Sequence, residues 1–75
     1  MTFNTVKQII ATQFKIPETA IYEDSHIFND LKFDSLDAVE LIIAIEEHYH
    51  IDMLDNEAEN IKTVKEIVDL VNSKI

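Results

Sequence analysis

The chain contains no glycine and a single proline, Pro17. That absence restricts the fold more than any other feature. Two-residue hairpins, phosphate-cradling loops and EF-hand calcium loops all lean on glycine. A β-rich fold is therefore disfavoured, and helices become the expectation. At 75 residues one domain is expected, residues 1–75. A domain this small buries only about 60% of the surface its unfolded chain exposes and is marginal in stability.

Charge narrows the partners. Fifteen acidic residues stand against six lysines and no arginine, for a net charge of −9. Nucleic acid is disfavoured, because phosphate contacts need Lys and Arg. An anionic membrane surface is disfavoured for the same reason. The natural partner is a basic patch on another protein. There is no cysteine, which excludes a disulfide scaffold and leaves the chain without a thiol of its own. The N-terminus MTFNTVK has no apolar secretory core, and no run approaches the roughly 18 apolar residues of a membrane helix. A soluble, cytoplasmic, monomeric protein without membrane insertion is expected.

Periodicity divides the chain into four helical segments. Phe3, Val6, Ile10 and Phe14 fall at helical spacing with Ile9 beside them, Thr2 is a candidate N-cap, and Pro17 marks the break. Residues 15–34 form a long connection with apolar anchors at Ile16, Ile21, Ile27, Phe28 and Leu31. Connections of this length are often functional. A second helix runs from Ser35 to Tyr49 or His50, and a short third from Asn56 to Asn60. Thr63-Val64-Lys65-Glu66 matches a capping box. It opens a fourth helix in which Val64, Ile67, Val68, Val71 and Ile75 recur on one face. The expected fold class is all-α: a small bundle of three main helices plus one short helix.

Projected at about 100° per residue with Asp37 at zero, the second helix carries two apolar arcs. Ala38, Leu41, Ile42, Ile45 and Tyr49 lie between roughly 40° and 140° and suffice as a core face. Leu36, Val39 and Ile43 lie between roughly −100° and −160°. Asp37, Glu40 and Glu47 border this second strip on one side and Glu46 on the other. It fits either a helix buried nearly all round or a docking strip whose carboxylates steer a basic partner. Phe33 to Ile61 holds nine acids and no Lys or Arg. Such a one-signed field opposes folding in isolation, which favours the docking strip.

Ser35 lies between two aspartates in FDSLDAVEL. Serine is among the best N-caps, but Asp34 is equally suited to that task. A nucleophilic enzyme would need a base in reach. The spacing sets none of His26, His48 or His50 beside Ser35, and no glycine-rich elbow is present. A plain cap therefore stays open for Ser35, beside an alternative in which another enzyme modifies the hydroxyl, since a phosphate ester at a helix N-terminus meets free N–H groups and the positive dipole end.

Asp34-Ser35-Leu36-Asp37, then Ala38-Val39-Glu40-Leu41, Ile45-Glu46-Glu47, Glu57-Ala58-Glu59 and Thr63-Val64, resemble the bacterial acyl carrier proteins. The resemblance spans essentially the whole chain, including the order of helices and the long first loop. It implies that Ser35 carries 4′-phosphopantetheine, donated from coenzyme A by a phosphopantetheinyl transferase, and that the arm's thiol holds acyl groups as thioesters. It implies a docking surface at Asp34, Leu36, Asp37, Val39, Glu40, Ile43, Glu46 and Glu47 for acyl-processing enzymes with basic patches. It also implies an acyl-chain pocket, here Phe28, Leu41, Ile45, Met53, Ala58, Ile61 and Val68, where each buried methylene is worth about 0.8 kcal/mol. By this resemblance the chain is a carrier for fatty acid synthesis and not an enzyme. The alternatives are a dedicated carrier of a polyketide, lipid or aminoacyl route, or an unmodified acidic interaction protein.

The sequence departs from the family's pattern in two places. Leu31-Lys32-Phe33-Asp34 stands where Leu-Gly-small-Asp is common, so a positive φ there would fall on Lys32 at some strain. Met53-Leu54 replaces a frequent Ile-Pro. No metal site is expected: His48 and His50 do not share a helix face, and Asp52, Asp55, Glu57 and Glu59 read as a solvated face.

Overall fold

The computed structural model describes residues 2–75. The helices are α1 (Thr2–Phe14), α2 (Ser35–Tyr49), α3 (Asp55–Glu59) and α4 (Val64–Lys74), with a 3-10 turn at Glu18–Ala20 in the long first loop. No strand occurs among the described residues, only an isolated antiparallel bridge between His26 and Thr63. The architecture is a small all-α bundle.

The core forms where the apolar stripes of α1, α2 and α4 meet. Val6, Ile10, Leu41, Ile45, Val64, Ile67 and Val71 are fully buried there. Phe3, Ile9, Phe14, Ala38, Ile42 and Tyr49 pack around them, partly buried. Two end residues behave differently from their periodic expectation. Ile75 lies past the end of α4 and is 65% exposed. Thr2 lies inside α1 instead of capping it, and its hydroxyl donates to the Asn72 side-chain oxygen near the end of α4. The short third helix starts one residue early, at Asp55, because the Glu57 carboxylate accepts the Leu54 N–H at 2.9 Å and closes its first turn.

The long loop is tied down. Ile21 and Ile27 are buried, and Ile27 donates its N–H to the Lys62 carbonyl at 2.8 Å. The Val64 and Lys65 N–H groups donate to the Ser25 and Glu23 carbonyls. The loop thus satisfies N–H groups that the start of α4 cannot satisfy itself, while Thr63 and Glu66 form the expected capping box. Within the loop, His26 Nδ1 accepts the N–H groups of both Phe28 and Asn29. That tight turn fixes where Phe28 stands.

A glycine-free chain must still turn left-handed somewhere. It does so at Lys15, Lys32 and His50, with φ of 57°, 62° and 55°. Lys15 and His50 follow α1 and α2. In each case the next residue donates its N–H five residues back, Ile16 to Ala11 and Ile51 to Glu46. This is the Schellman closure, whose left-handed residue is usually glycine. A Cβ in that region costs about 1–2 kcal/mol, and glycine's extra unfolded-state freedom returns about 0.4–1 of it. Replacing the exposed His50 (His50→Gly) is expected to stabilise the protein by about 0.5–1 kcal/mol, read as a higher urea midpoint at unchanged slope. A lower midpoint would mean that the imidazole makes contacts outweighing the backbone strain.

Candidate carrier site

The start of α2 is built by its neighbours. Phe33 is buried, with its ring centroid 4.3 Å from that of Phe14. Its N–H donates to the Ile27 carbonyl at 2.9 Å. Lys32, left-handed, aims the chain into this position. Asp34 then caps the helix: its Oδ1 accepts the Asp37 N–H at 2.8 Å, and Asp37 Oδ2 accepts the Asp34 N–H at 3.2 Å. The capping role that sequence left open between Asp34 and Ser35 therefore belongs to Asp34. Ser35 is the first residue of α2, exposed, and no hydrogen bond of its hydroxyl is found among the described residues.

No histidine serves that hydroxyl as a base. His26 Nδ1 is occupied by the two loop N–H groups. His48 lies edge-on to Tyr49 in the last turn of α2, and His50 follows it. At 1.5 Å per residue, the far end of α2 lies about 20 Å away. An acceptor hydroxyl, available to an external enzyme, is what the geometry offers.

The second strip of α2 is uncovered. Leu36, Val39 and Ile43 are 64%, 54% and 47% exposed, which removes the alternative of a helix buried all round. Of the carboxylates around the strip, Glu40 and Glu47 are exposed. Asp34 and Asp37 are shared with the cap. Glu46 has a task that sequence did not reveal: its Oε2 accepts the Met53 N–H at 2.9 Å and fixes the chain leaving α2.

A cavity of about 370 Å³ lies between α2, α3 and the first loop, within the size range of small-ligand sites. Phe28, Met53, Ala58 and Ile61 line it, as expected from the sequence. Leu41, Ile45 and Val68 do not; they are buried in the core behind it. Instead α2 contributes Ser35, Ala38, Val39, Ile42, Ile43 and Glu46. These occupy one continuous arc of the projection, from roughly 100° to 240°, whereas Leu41 and Ile45 lie at roughly 40° and 80°. The cavity faces the boundary between the two apolar arcs. The facing edges of those arcs, Ile42 at roughly 140° and Val39 at roughly 200°, were the available signal. Asp55 and Glu59 add carboxylates from α3.

The outer wall, α3, buries no residue. Glu57 Oε1, besides holding the Leu54 N–H, pairs with Lys74 Nζ at 3.0 Å. The Leu54 N–H first, and Lys74 second, hold the Glu57 carboxyl below its ordinary value of 4.5. A carboxyl depressed on folding contributes stability above its unfolded value, and that contribution is lost as pH falls through the folded value. Acid titration from pH 5 downward should therefore cost the parent an increment of thermal stability that Glu57→Gln does not lose.

Among the described residues, no group of three or more His, Cys, Asp or Glu side chains is placed to hold a metal ion. No described helix is long and apolar enough to cross a membrane.

Residues 4–71 match the family described as the phosphopantetheine attachment site. This defines a carrier domain, not a catalyst. Curated relatives agree over nearly the full length. The acyl carrier protein of Clostridium acetobutylicum is 45% identical over 73 residues, 97% of this chain and 95% of that protein. That of Helicobacter hepaticus is 40% identical over 72 residues, 96% and 95% of the two. That of Thermosynechococcus vestitus is 40% identical over 70 residues, 93% and 86%. The chain belongs to the acyl carrier protein family. Proteins of this family take 4′-phosphopantetheine as their cofactor and work with a phosphopantetheinyl transferase and acyl-processing enzymes.

Proposed function

We propose that Ser35 is the residue that bears 4′-phosphopantetheine, and that this chain shuttles acyl groups between the enzymes of fatty acid synthesis. One observation carries the reading: an exposed hydroxyl, released from capping by Asp34, sits on the wall of a mostly apolar cavity. The arm supplies a thiol, which a chain without cysteine lacks, and holds the acyl group as a thioester. Asp34 and Asp37 fix the backbone around the hydroxyl, and the apolar wall keeps water from a chain folded into it.

Leu36, Val39 and Ile43, with Asp34, Asp37, Glu40, Glu46 and Glu47, form the face on which basic patches of the partner enzymes dock. In this reading the chain is a single domain that works as a cytoplasmic monomer. Changing Glu40 and Ile43 together, to Lys and Ser, removes one steering charge, adds an opposite one and removes apolar contact. Catalytic efficiency of partner enzymes on the variant should fall at least about tenfold while the helical spectrum is kept. Unaltered kinetics with every partner would remove the docking role.

The reading is tested by intact mass after incubation with coenzyme A, magnesium and a broad-specificity phosphopantetheinyl transferase. A gain of one phosphopantetheine is expected. No gain by a folded sample would leave an acidic interaction protein. A second reading, a carrier dedicated to a specialised route, draws on Lys32 and on Leu54, 62% exposed where proline is frequent. Refusal of malonyl loading by a general malonyl transferase, with the arm in place, would favour it.

A further inference from the structure

We propose that His26 is a positioning residue for the modification of Ser35: its neutral imidazole caps the turn from which the entry to α2 hangs. His26 is half-buried and bridges to Thr63, which leaves its backbone extended, as at a helix N-cap. Its Nδ1 accepts the Phe28 N–H at 3.3 Å and the Asn29 N–H at 3.1 Å. The His26 carbonyl accepts the Asp30 and Leu31 N–H groups. Asp30 Oδ2 accepts the His26 N–H in return, at 2.8 Å. The arrangement works like a capping box, with an imidazole where a hydroxyl or carboxamide is usual. Two features tie this turn to the site. The Ile27 carbonyl accepts the Phe33 N–H at 2.9 Å, two residues before Ser35. Phe28 stands on the wall of the cavity that Ser35 also lines.

One protonation state of the ring can do this. An accepting Nδ1 leaves the ring proton on Nε2. A proton on Nδ1 would set three donors against one another and leave the Phe28 and Asn29 N–H groups without their partner. Histidine as a class changes charge between pH 5 and 8, and hydroxyl or carboxamide caps do not. The charged groups of the segments against the turn are Asp30 within it, Glu23 and Asp24 before it, and Lys62, Lys65 and Glu66 at the start of α4. Asp30 meets the main chain of His26 and not the ring, Lys65 is held by Asp69, and Glu66 by the α4 cap. The cap therefore holds at the alkaline end of that range and loosens as the ring takes up a proton. Its bearing on Ser35 rests on the carrier reading above; the behaviour of the turn does not.

Two variants separate the acceptor from the rest of the side chain. His26→Asn keeps an acceptor that does not titrate, and His26→Ala keeps none. At pH 7.5 the ring nitrogen shifts of the parent should place the proton on Nε2. Exchange protection at Phe28, Asn29 and Phe33 should fall about three- to tenfold in His26→Ala, beyond any change at Val6 and Ile10, and stay near the parent's in His26→Asn. At pH 5.5 the parent should lose this protection and His26→Asn should keep it. His48 and His50 are present in both, so their own titration cancels. Phosphopantetheine transfer to Ser35 should follow: the parent's rate relative to His26→Asn, near one at pH 7.5, should drop about threefold or more at pH 5.5. Equal protection in the two variants would overturn the proposal. So would a proton on Nδ1 at pH 7.5, or one pH dependence shared by the parent and His26→Asn. Should the parent never accept the arm, the carrier reading and the bearing on Ser35 would fail, while the ring and exchange results would still decide the cap.

Discussion

Ser35→Ala is expected to fold like the parent, to keep its stability within about 0.5 kcal/mol, and to gain no mass from coenzyme A and transferase. The expectation is sharp because Asp34, and not Ser35, caps the helix. Asp34 and Asp37 exchange both capping hydrogen bonds. Alanine at the first helical position forfeits none of them and is the best helix former. Asp34→Ala should show the opposite pattern, losing about 1 kcal/mol with its cap while the hydroxyl remains a substrate. A large loss of stability in Ser35→Ala would mean that the serine supports the helix after all. A mass gain in that variant would move the attachment to another hydroxyl.

Ile45→Ala is expected to have the largest effect on folding. Ile45 is fully buried on the core face of α2. Deleting such a side chain typically costs about 2–5 kcal/mol, through lost burial and the cavity left behind. A chain of this length has only about 4–11 kcal/mol in all, and its net charge of −9 opposes compaction. Much of the population should unfold at low ionic strength and recover as added salt screens the repulsion. Ile43→Ala, two residues earlier but 47% exposed, should cost less than about 1 kcal/mol. Urea midpoints of the two variants measure the contrast. Equal losses would mean that the strip is covered in solution, by a second copy or by another part of the chain.

The helices were legible because each signal was local. Thr63 and Glu66 lie three apart, and the stripes of α1, α2 and α4 follow a single period. The strained turn at Lys32 could be anticipated from the missing glycine, and Phe33 could be seen as an intrusion where a small residue is common. Its accommodation, a ring packed on Phe14 nineteen positions earlier, depends on how the loop folds back. The cavity was half legible for a related reason. Side-chain type and helical angle identify which residues are apolar, but not which neighbours face a void. Ala38 and Ile42 read as core, and Val39 and Ile43 as surface, until α3 is placed opposite them. Glu46 read as an edge of the docking strip, and Glu57 as part of a solvated face. Their bonds to Met53 and Lys74 span 7 and 17 positions of a folded path that no periodicity encodes.

Val39 and Ile43 belong at once to the exposed strip and to the cavity wall. Two surfaces that share side chains cannot be occupied independently. Whatever factor a chain in the cavity imposes on the affinity of a body seated on the strip, that body must impose on the hold of the cavity over the chain. If the cavity holds the cargo and the strip seats the partner, as proposed, cargo length and partner choice are two readings of a single coupling constant. A cycle of four binding measurements, with and without each occupant, would have to close on the same value from either direction.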